Sequence, residues 1–241
     1  MSTAQLEALS AYTACDISDA LLKLSVPGAG FLPNILPLPQ TTTPHQPAKY
    51  IAPASTVLFL PHSTPSFPNP PPPLDTLTTA LTTPLPNIPP GVPYADLAVP
   101  GTIMLLSQPA DQHCAVLGGI MAARIAARGV RGVLVDGRVR DLGEIRGTGI
   151  PVWSKGVSTV GAGAQTKAWA VGCEVQVGET VVRTGDIIMI DPSSHAAVSI
   201  PAELLQRVLD MLPRLTAADE NVLREVKEGL DVAGAFKRWR S

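Results

Sequence analysis

The sequence predicts a single-domain α/β protein built around parallel strands. The main evidence is a strand–helix–strand pattern: a buried strand over 102–106, a helix over 120–128 that Gly118 and Gly119 open, and a second strand over 132–135. Parallel strands joined in this way form a right-handed βαβ unit. The length of 241 residues, which lies between a large single domain and two small ones, is enough for a sizeable core.

The other elements follow from hydrophobic periodicity and turn residues. Apolar residues at helical spacing predict helix over 4–24, with Asp16 or Ser18 capping a second segment. Further strands are predicted over 55–60, 151–153, 175–177, 180–182 and 186–190, with a hairpin turn at Gly178-Glu179, and two amphipathic helices over 202–212 and 217–229.

Residues 61–100 differ in composition from the rest of the chain. They hold 13 of the 25 prolines, so regular structure is not expected beyond one short helix, Leu74–Leu81. A solvent-exposed insertion is favoured over a lid or a partner-binding segment. The domain assignment is therefore one domain over 1–241 that contains an inserted loop over 61–100.

Composition and charge exclude several classes of protein. The net charge is -2 and charged residues make up 16% of the chain without a basic run, so nucleic acid is not an expected partner. No apolar stretch approaches the roughly 20 residues of a membrane span. The first 14 residues contain no Lys or Arg, which argues against a targeting peptide. Three widely spaced cysteines indicate reduced, buried thiols and a cytoplasmic protein rather than a structural zinc site.

Two segments of the βαβ unit contain residues that could do chemistry. The helix N-terminus at Gly118-Gly119 would present backbone N–H groups to an anion, although simple capping by glycine is the commoner explanation. Arg140, Asp141 and Glu144 follow the next strand, where ligands of parallel sheets gather. The guanidinium could bind a carboxylate or a carbonyl oxygen, and the carboxylates could hold Mg²⁺ or Mn²⁺. Taken alone, this segment is better explained as a surface turn with weak salt bridges of about 0–1 kcal/mol.

The spacing of these residues resembles a known family. Gly119, twenty residues and then Arg140-Asp141-x-x-Glu144 match the signature of the family named for regulator of ribonuclease activity A. That family includes class II 4-hydroxy-4-methyl-2-oxoglutarate aldolases, which also decarboxylate oxaloacetate. The resemblance covers nearly the whole chain except 61–100, with supporting segments at 17–21, 126–137, 151–158 and 185–188.

The resemblance implies a fold, an assembly and a role for each site residue. The fold would be a swivelling β/β/α-type single domain, assembled as a homotrimeric ring or a dimer of trimers with active sites at subunit interfaces. The substrate would be a small 2-oxo acid and the cofactor Mg²⁺ or Mn²⁺. The backbone N–H groups of Gly118, Gly119, Ile120 and Met121 would bind the pyruvyl carboxylate. The Arg140 guanidinium would bind the carbonyl oxygen. Asp141 would bind the metal directly, and Glu144 would bind it through water.

The implied chemistry is a pyruvate enolate formed by aldol cleavage or by β-decarboxylation. A divalent cation and the Arg140 guanidinium would stabilise the negative charge that develops on the carbonyl oxygen. Neither reaction needs a lysine Schiff base.

Some features of the sequence depart from the family pattern or stay open. Where relatives have an acidic, glycine-containing turn at the rim of the site, this chain has 191–195, Asp-Pro-Ser-Ser-His. Aldolases of the family also take a glutamate from a neighbouring subunit, for which Glu220, Glu225 and Glu228 are unranked candidates. His113 could be a base, although a histidine without catalytic function is favoured.

Three functions are compatible with the sequence. The intact Arg140-Asp141-x-x-Glu144 set favours a metal-dependent lyase. A non-catalytic interaction protein is the alternative from another class, because the namesake of the family acts by binding a ribonuclease, and the Pro-rich segment favours some partner contact. A third possibility is the same enolate chemistry on a larger, specialised substrate.

Overall fold

The computed structural model describes residues 2–38, 49–64 and 83–240. The strands are β1 Leu36–Pro37, β2 Tyr50–Pro61, β3 Ile103–Ser107, β4 Ala115–Leu117, β5 Gly132–Val139, β6 Val152–Val157, β7 Thr166–Val171, β8 Val175–Val177, β9 Thr180–Val182, β10 Ile187–Asp191 and β11 Ala196–Ile200. The helices are α1 Thr3–Leu9, α2 Ala14–Lys23, α3 Gly119–Ala127, α4 Leu142–Gly147, α5 Leu205–Lys227 and α6 Val232–Trp239, with 3₁₀ turns at Pro27–Gly30, Tyr94–Leu97, Ala162–Ala164 and Ala202–Leu204.

A mixed nine-stranded sheet organises the fold. Its main path runs β1-β6-β5-β3-β2-β10-β11, while β4 pairs with β5, β7 pairs with β2, and β8 and β9 form a separate hairpin. The pairs β2–β3, β3–β5, β4–β5 and β5–β6 are parallel. The carboxyl ends of these parallel strands therefore meet at one edge of the sheet, where ligand sites commonly form.

Both faces of the sheet are covered by apolar side chains. One cluster joins β3 and β5 to α3 and α4 through residues such as Leu106, Val135, Ile125 and Ile145. A second cluster lies on the other face around Leu134 and includes the β8–β9 hairpin. A third packs α1, α2 and α5 against β10 and β11. No helix in the described ranges is long and apolar enough to cross a membrane.

The predicted βαβ unit is confirmed. Strands β3 and β5 are adjacent and parallel, with Ile103 opposite Gly132, and α3 connects them through the short strand β4. Gly129, which follows the helix, has φ +81°, the left-handed conformation that glycine adopts at helix C-termini. The β8–β9 hairpin with its turn at Gly178-Glu179 is also confirmed.

The helices at the two ends of the chain differ from the prediction. The N-terminal helix is two helices, and the second is capped by Thr13, whose side chain accepts from the Asp16 N–H, rather than by Asp16 or Ser18. The two helices predicted over 202–212 and 217–229 are one helix, α5, which continues through Pro213. Its apolar residues stay in phase on both sides of the proline, and their burial offsets the lost backbone hydrogen bond.

The Pro-rich segment is partly integrated into the core. Residues 65–82, including the predicted helix Leu74–Leu81, lie outside the described residues. After them, the Asn87 side chain forms two hydrogen bonds with the backbone of Val171, each 2.8 Å long. Tyr94 is buried, and its hydroxyl donates to the Val116 carbonyl oxygen at 2.8 Å. A solvent-exposed insertion therefore does not describe the stretch from Asn87 to Ala98, since it packs against the sheet.

Asp191, at the end of β10, fixes the N-terminal helices to the sheet. Its buried carboxylate accepts hydrogen bonds from the Ala14 N–H at 2.9 Å and from the hydroxyls of Ser193 and Ser194 at 2.6 and 2.7 Å. Burial alone would raise the pKa of Asp191, but these hydrogen bonds outweigh it and the pKa is lowered. The ionised form is therefore the one that stabilises the fold.

Asp191→Asn should lower the free energy of unfolding at pH 7 by about 1–3 kcal/mol, because one buried donor would lose its acceptor. The folded-state pKa is lowered, so the carboxylate contributes stability above its unfolded pKa of about 4, and this is lost as pH falls through the folded pKa. Urea unfolding from pH 7 to pH 3 should show the difference between the two proteins shrinking at acid pH. Asp111→Asn, on an exposed turn, is the control; a difference that does not vary with pH would contradict this role.

Candidate active site

Strands β4 and β5 bring the two predicted site segments side by side. Leu117 is paired with Val139 at the carboxyl ends of these strands, and the Arg140 N–H donates to the Leu117 carbonyl oxygen at 3.0 Å. The glycine turn that follows Leu117 and the Arg140-Asp141 turn therefore leave the same edge of the sheet together. The structure brings together the residues that the sequence placed at this edge.

Asp141 has an unusual backbone conformation that directs its carboxylate towards the glycine turn. Its φ and ψ are 58° and 52°, the left-handed region, which Asp tolerates better than most residues. Asp141 precedes α4, but its side chain does not cap that helix. Instead, Oδ2 accepts from the Gly119 N–H at 3.1 Å and lies 3.5 Å from Arg140 Nε.

Both glycines are required by close approach rather than by their own backbone angles. A Cβ at Gly118 would lie 2.8 Å from Asp141 Oδ2, and one at Gly119 would lie 2.5 Å from Glu144 Cβ. Neither glycine has positive φ. Helix capping alone therefore does not explain the Gly-Gly pair, because a side chain at either position would displace an acidic residue.

The N-terminus of α3 has fewer free donors than the sequence implied. The Gly119 N–H, expected to face a substrate carboxylate, is bound to Asp141. Ile120 and Met121 belong to the first turn of α3, where N–H groups have no acceptor within the helix. The Ile120 side chain is 84% exposed, so this first turn borders solvent.

Gly161 makes room for the Arg140 side chain, and no local pattern in the sequence indicates this. A Cβ at Gly161 would lie 2.9 Å from Arg140 Nη1. The position of Gly161 is set by its bridge with Ala115, whose N–H donates to the Val160 carbonyl oxygen at 2.7 Å. Only a residue without a side chain lets the guanidinium occupy this place.

Gln108 holds β4 and β5 together just before the site. Its amide Nε2 donates to the Cys114 carbonyl oxygen at 2.8 Å, and its Oε1 accepts from the Arg138 N–H at 3.0 Å. The second contact falls at the irregularity in β5 between Val135 and Arg138. A Cβ at Gly137 would lie 2.2 Å from Gln108 Oε1, which explains the glycine there.

Asp136 and Lys155 form an ion pair near the same edge of the sheet. Burial raises the pKa of Asp136, while the hydrogen bond and the charge of Lys155 act in the opposite direction. No local pattern in the sequence selects either residue as part of the site. Their ion pair joins β5 to β6, and the charge of the lysine balances that of the aspartate.

Other residues that the sequence singled out lie away from this arrangement. The turn 191–195 lies at the opposite edge of the sheet within the chain, because β10 is antiparallel to β2 and Ile190 pairs with Tyr50 at the start of β2. Glu220 and Glu225 are on α5, which packs at the β10–β11 end of the sheet, and Glu228 directly follows this helix. His113 is exposed, and its backbone N–H donates to Gln165 Oε1.

The acidic residues at the site number two. Within the described ranges, no group of three His, Cys, Asp or Glu side chains is arranged to hold a metal. Cys15, Cys114 and Cys173 are free, and Cys15 is exposed rather than buried as expected. Any cation at the site would therefore be held by Asp141 and Glu144, with water or ligand oxygens completing its shell.

The sheet and its edge site define an α/β protein with a nearly closed sheet of the swivelling type. The family described as RraA-like, Aldolase/RraA, matches residues 14–194. The chain belongs to this family, which includes aldolases.

Individual relatives are distant. A protein of Halalkalibacterium halodurans, provisionally named as a 4-hydroxy-4-methyl-2-oxoglutarate aldolase, is 24% identical over 139 residues, which cover 58% of this chain and 65% of that protein. In the other curated relatives the matched part is 55% and 22% of their length. Among solved structures, an uncharacterized protein from Pseudomonas syringae superposes with a TM-score of 0.72 at 20% identity, covering 99% of this chain and 95% of that one.

A second structure is Streptomyces coelicolor RraAS2, described as an unusual member of the RNase ES inhibitor RraA protein family. It superposes with a TM-score of 0.66 at 20% identity, covering 94% of this chain and 98% of that one. At these identities, the two structures establish the fold.

Gly161→Ala should displace the Arg140 guanidinium without unfolding the protein. The atom that a new Cβ would meet is the far end of a flexible side chain, and the φ of Gly161 is -74°, which alanine adopts readily. The unfolding free energy should change by less than about 0.5 kcal/mol, while the Arg140 Nε–Hε resonance in a ¹⁵N NMR spectrum should shift. Gly163→Ala in the same loop, where a Cβ would meet nothing within 4 Å, should leave that resonance unchanged. An unmoved Arg140 signal in both variants would contradict the contact.

Proposed function

We propose that this protein is a divalent-metal-dependent lyase that cleaves a 2-oxo acid through a pyruvate enolate. Its reaction would be aldol cleavage of 4-hydroxy-4-methyl-2-oxoglutarate, decarboxylation of oxaloacetate, or both. Family membership and the distant relative named as an aldolase support the general class. The particular reaction is proposed from the residues at the sheet edge.

One observation carries the proposal: Asp141 is held in a left-handed conformation with its carboxylate beside Arg140 and over the Gly118-Gly119 turn. A non-glycine residue in this conformation costs roughly 1 kcal/mol or more. Such local strain is commonly stored where it positions a functional group. A surface turn with weak salt bridges would not require this conformation or two closely approached glycines.

The donor set suits Mg²⁺ or Mn²⁺. Asp141 Oδ2 is occupied by the Gly119 N–H, and the carboxylate is half-exposed, so its other oxygen is available to solvent. Glu144 is in the first turn of α4 and packs against Gly119. Mg²⁺ typically binds one or two carboxylates and keeps several waters, which fits two acidic residues at an open edge. Such a cation would supply positive charge to the oxygen on which the enolate forms.

The residues of the chain would bind and orient the 2-oxo acid. The Arg140 guanidinium, half-exposed and fixed over Gly161, would donate to the carbonyl oxygen as negative charge grows there. The free N–H groups of Ile120 and Met121 would receive the neighbouring carboxylate at the positive end of α3. Loss of CO₂ from oxaloacetate then needs no further protein group, whereas aldol cleavage also needs a base for the substrate hydroxyl.

A non-catalytic interaction protein is the second candidate. The family model is described as Aldolase/RraA, so it covers RraA proteins as well as aldolases. The structural similarity to RraAS2, from a family described as RNase ES inhibitors, is compatible with it as well. Metal-dependent release of pyruvate separates the two candidates.

Asp141→Asn should lower Mg²⁺-dependent release of pyruvate from oxaloacetate by roughly 10²-fold or more, because the anionic ligand is lost. Asparagine also tolerates the left-handed conformation and can still accept from the Gly119 N–H, so the fold should persist. Pyruvate release would be followed with a coupled dehydrogenase at several Mg²⁺ concentrations, and folding by circular dichroism.

Asp210→Asn, on the exposed face of α5, is the matched control and should keep full activity. Full activity of the unaltered protein in EDTA, or of the Asp141 variant, would rule out the metal-dependent lyase.

Arg140→Lys should lower kcat by about 10²–10³-fold, as loss of an oxyanion donor does, with a smaller change in KM. Lysine keeps the charge but lacks the planar fork that Gly161 accommodates. Aldol cleavage and decarboxylation should both suffer, since they share the enolate. Steady-state kinetics on both substrates is the measurement, with Arg131→Lys at the other end of β5 as control. A change confined to KM would make Arg140 a binding residue and contradict the mechanism.

A further inference from the structure

Arg138 is a second guanidinium at the same sheet edge, and the proposed reaction does not use it. It lies two residues before Arg140, in the part of β5 that pairs with both neighbours: Ala115 of β4 and Gly156 of β6 are both opposite Arg138. Side chains two residues apart on a strand share a face and start about 7 Å apart. Arg138 and Arg140 are therefore expected to project from the same face.

Strand β6 and the loop that follows it provide one glycine for each of these guanidinium groups. A Cβ at Gly156 would lie 3.0 Å from Arg138 Nη1, just as one at Gly161 would lie 2.9 Å from Arg140 Nη1. Arg138 Nη1 also donates to the Val157 carbonyl oxygen at 3.1 Å. The guanidinium is thus oriented by the backbone before any ligand arrives.

Arg138 also keeps its charge unneutralised. In the described part of the chain no carboxylate lies within 4 Å of its guanidinium, whereas Asp136 pairs with Lys155, and Asp141 with Arg140. The backbone acceptor uses one of its donors and leaves the others for a ligand.

We infer that Arg138 binds the distal carboxylate of a dicarboxylic 2-oxo acid whose carbonyl oxygen is held by Arg140. This assignment rests on the proposed function and makes Arg138 the residue that selects dicarboxylic over monocarboxylic 2-oxo acids. It also separates the two reactions, because the carboxylate bound by Arg138 is retained in aldol cleavage but leaves as CO₂ from oxaloacetate.

The test compares two ligands that differ by one carboxylate, 2-oxoglutarate and 2-oxobutanoate, by calorimetry in the presence of Mg²⁺. Arg138→Gln should weaken 2-oxoglutarate binding about ten-fold or more, as expected for loss of a charge-assisted hydrogen bond. Binding of 2-oxobutanoate should change less than about two-fold. Arg138→Lys should recover part of the loss, and Arg131→Gln should change neither.

The kinetics of oxaloacetate decarboxylation give an independent readout. In Arg138→Gln, the KM for oxaloacetate should rise while kcat stays the same or increases. The reason is that the carboxylate that Arg138 binds must lose its charge as CO₂ leaves. If Arg138→Gln weakens the binding of both ligands equally, or does not weaken 2-oxoglutarate binding, the role of Arg138 is overturned while the proposed function stays in place. Failure of the unaltered protein to bind either ligand would contradict the proposed function itself, and this assignment with it.

Discussion

The hydrogen bond from the Gly119 N–H to Asp141 Oδ2 joins two turns that come from neighbouring strands. It forms only because β4 and β5 are parallel and end together, and because Gly118 and Gly119 have no side chains to displace Asp141 or Glu144. The left-handed backbone at Asp141 is the local cost of this contact. The placement of Arg140, of both acidic residues and of the first turn of α3 all depends on it.

The surroundings of this bond show how the fold maintains it. Gln108 fixes the irregular part of β5 to the segment before β4, so the two strands cannot slide past one another without losing two buried hydrogen bonds. On one face, α3 and α4 pack against the same core cluster as these strands. Strand β6 and the loop after it provide Gly156 and Gly161 at the two places where arginine side chains lie. The site is therefore open to solvent but is held by a rigid framework.

Much of this could be read from the sequence, and the reasons for success and failure are physical. The strand–helix–strand unit has strong local signals, namely an apolar strand, a Gly-Gly start and a glycine at the helix end, so its elements and the edge carrying Arg140 were predicted correctly. Gln108, Gly161 and the Asp136–Lys155 pair act through contacts between residues distant in sequence, and no local pattern indicates such contacts. The sequence predicts two helices, over 202–212 and 217–229, on either side of Pro213, whose local cost is clear, whereas the packing that makes them one helix, α5, is a tertiary effect.

The named relatives are distant in sequence, so similarity alone does not identify the reaction. The family and the fold are established, but identities of 20–24% leave the reaction to be decided by the site. At that site, Arg140 and Asp141 are the residues proposed to support enolate chemistry, and Arg138 is proposed to select dicarboxylic 2-oxo acids. The central claim is that the sheet edge binds a pyruvate enolate together with a divalent cation.

Oxalate, a stable planar mimic of that enolate, tests the claim most directly. Calorimetric titration of oxalate into the unaltered protein should show saturable binding in the presence of Mg²⁺ and none in EDTA, and a crystal structure of the complex should place oxalate between Arg140 and the cation at Asp141. Binding of equal strength in EDTA, or oxalate located away from the Gly118-Gly119 turn, would contradict the account.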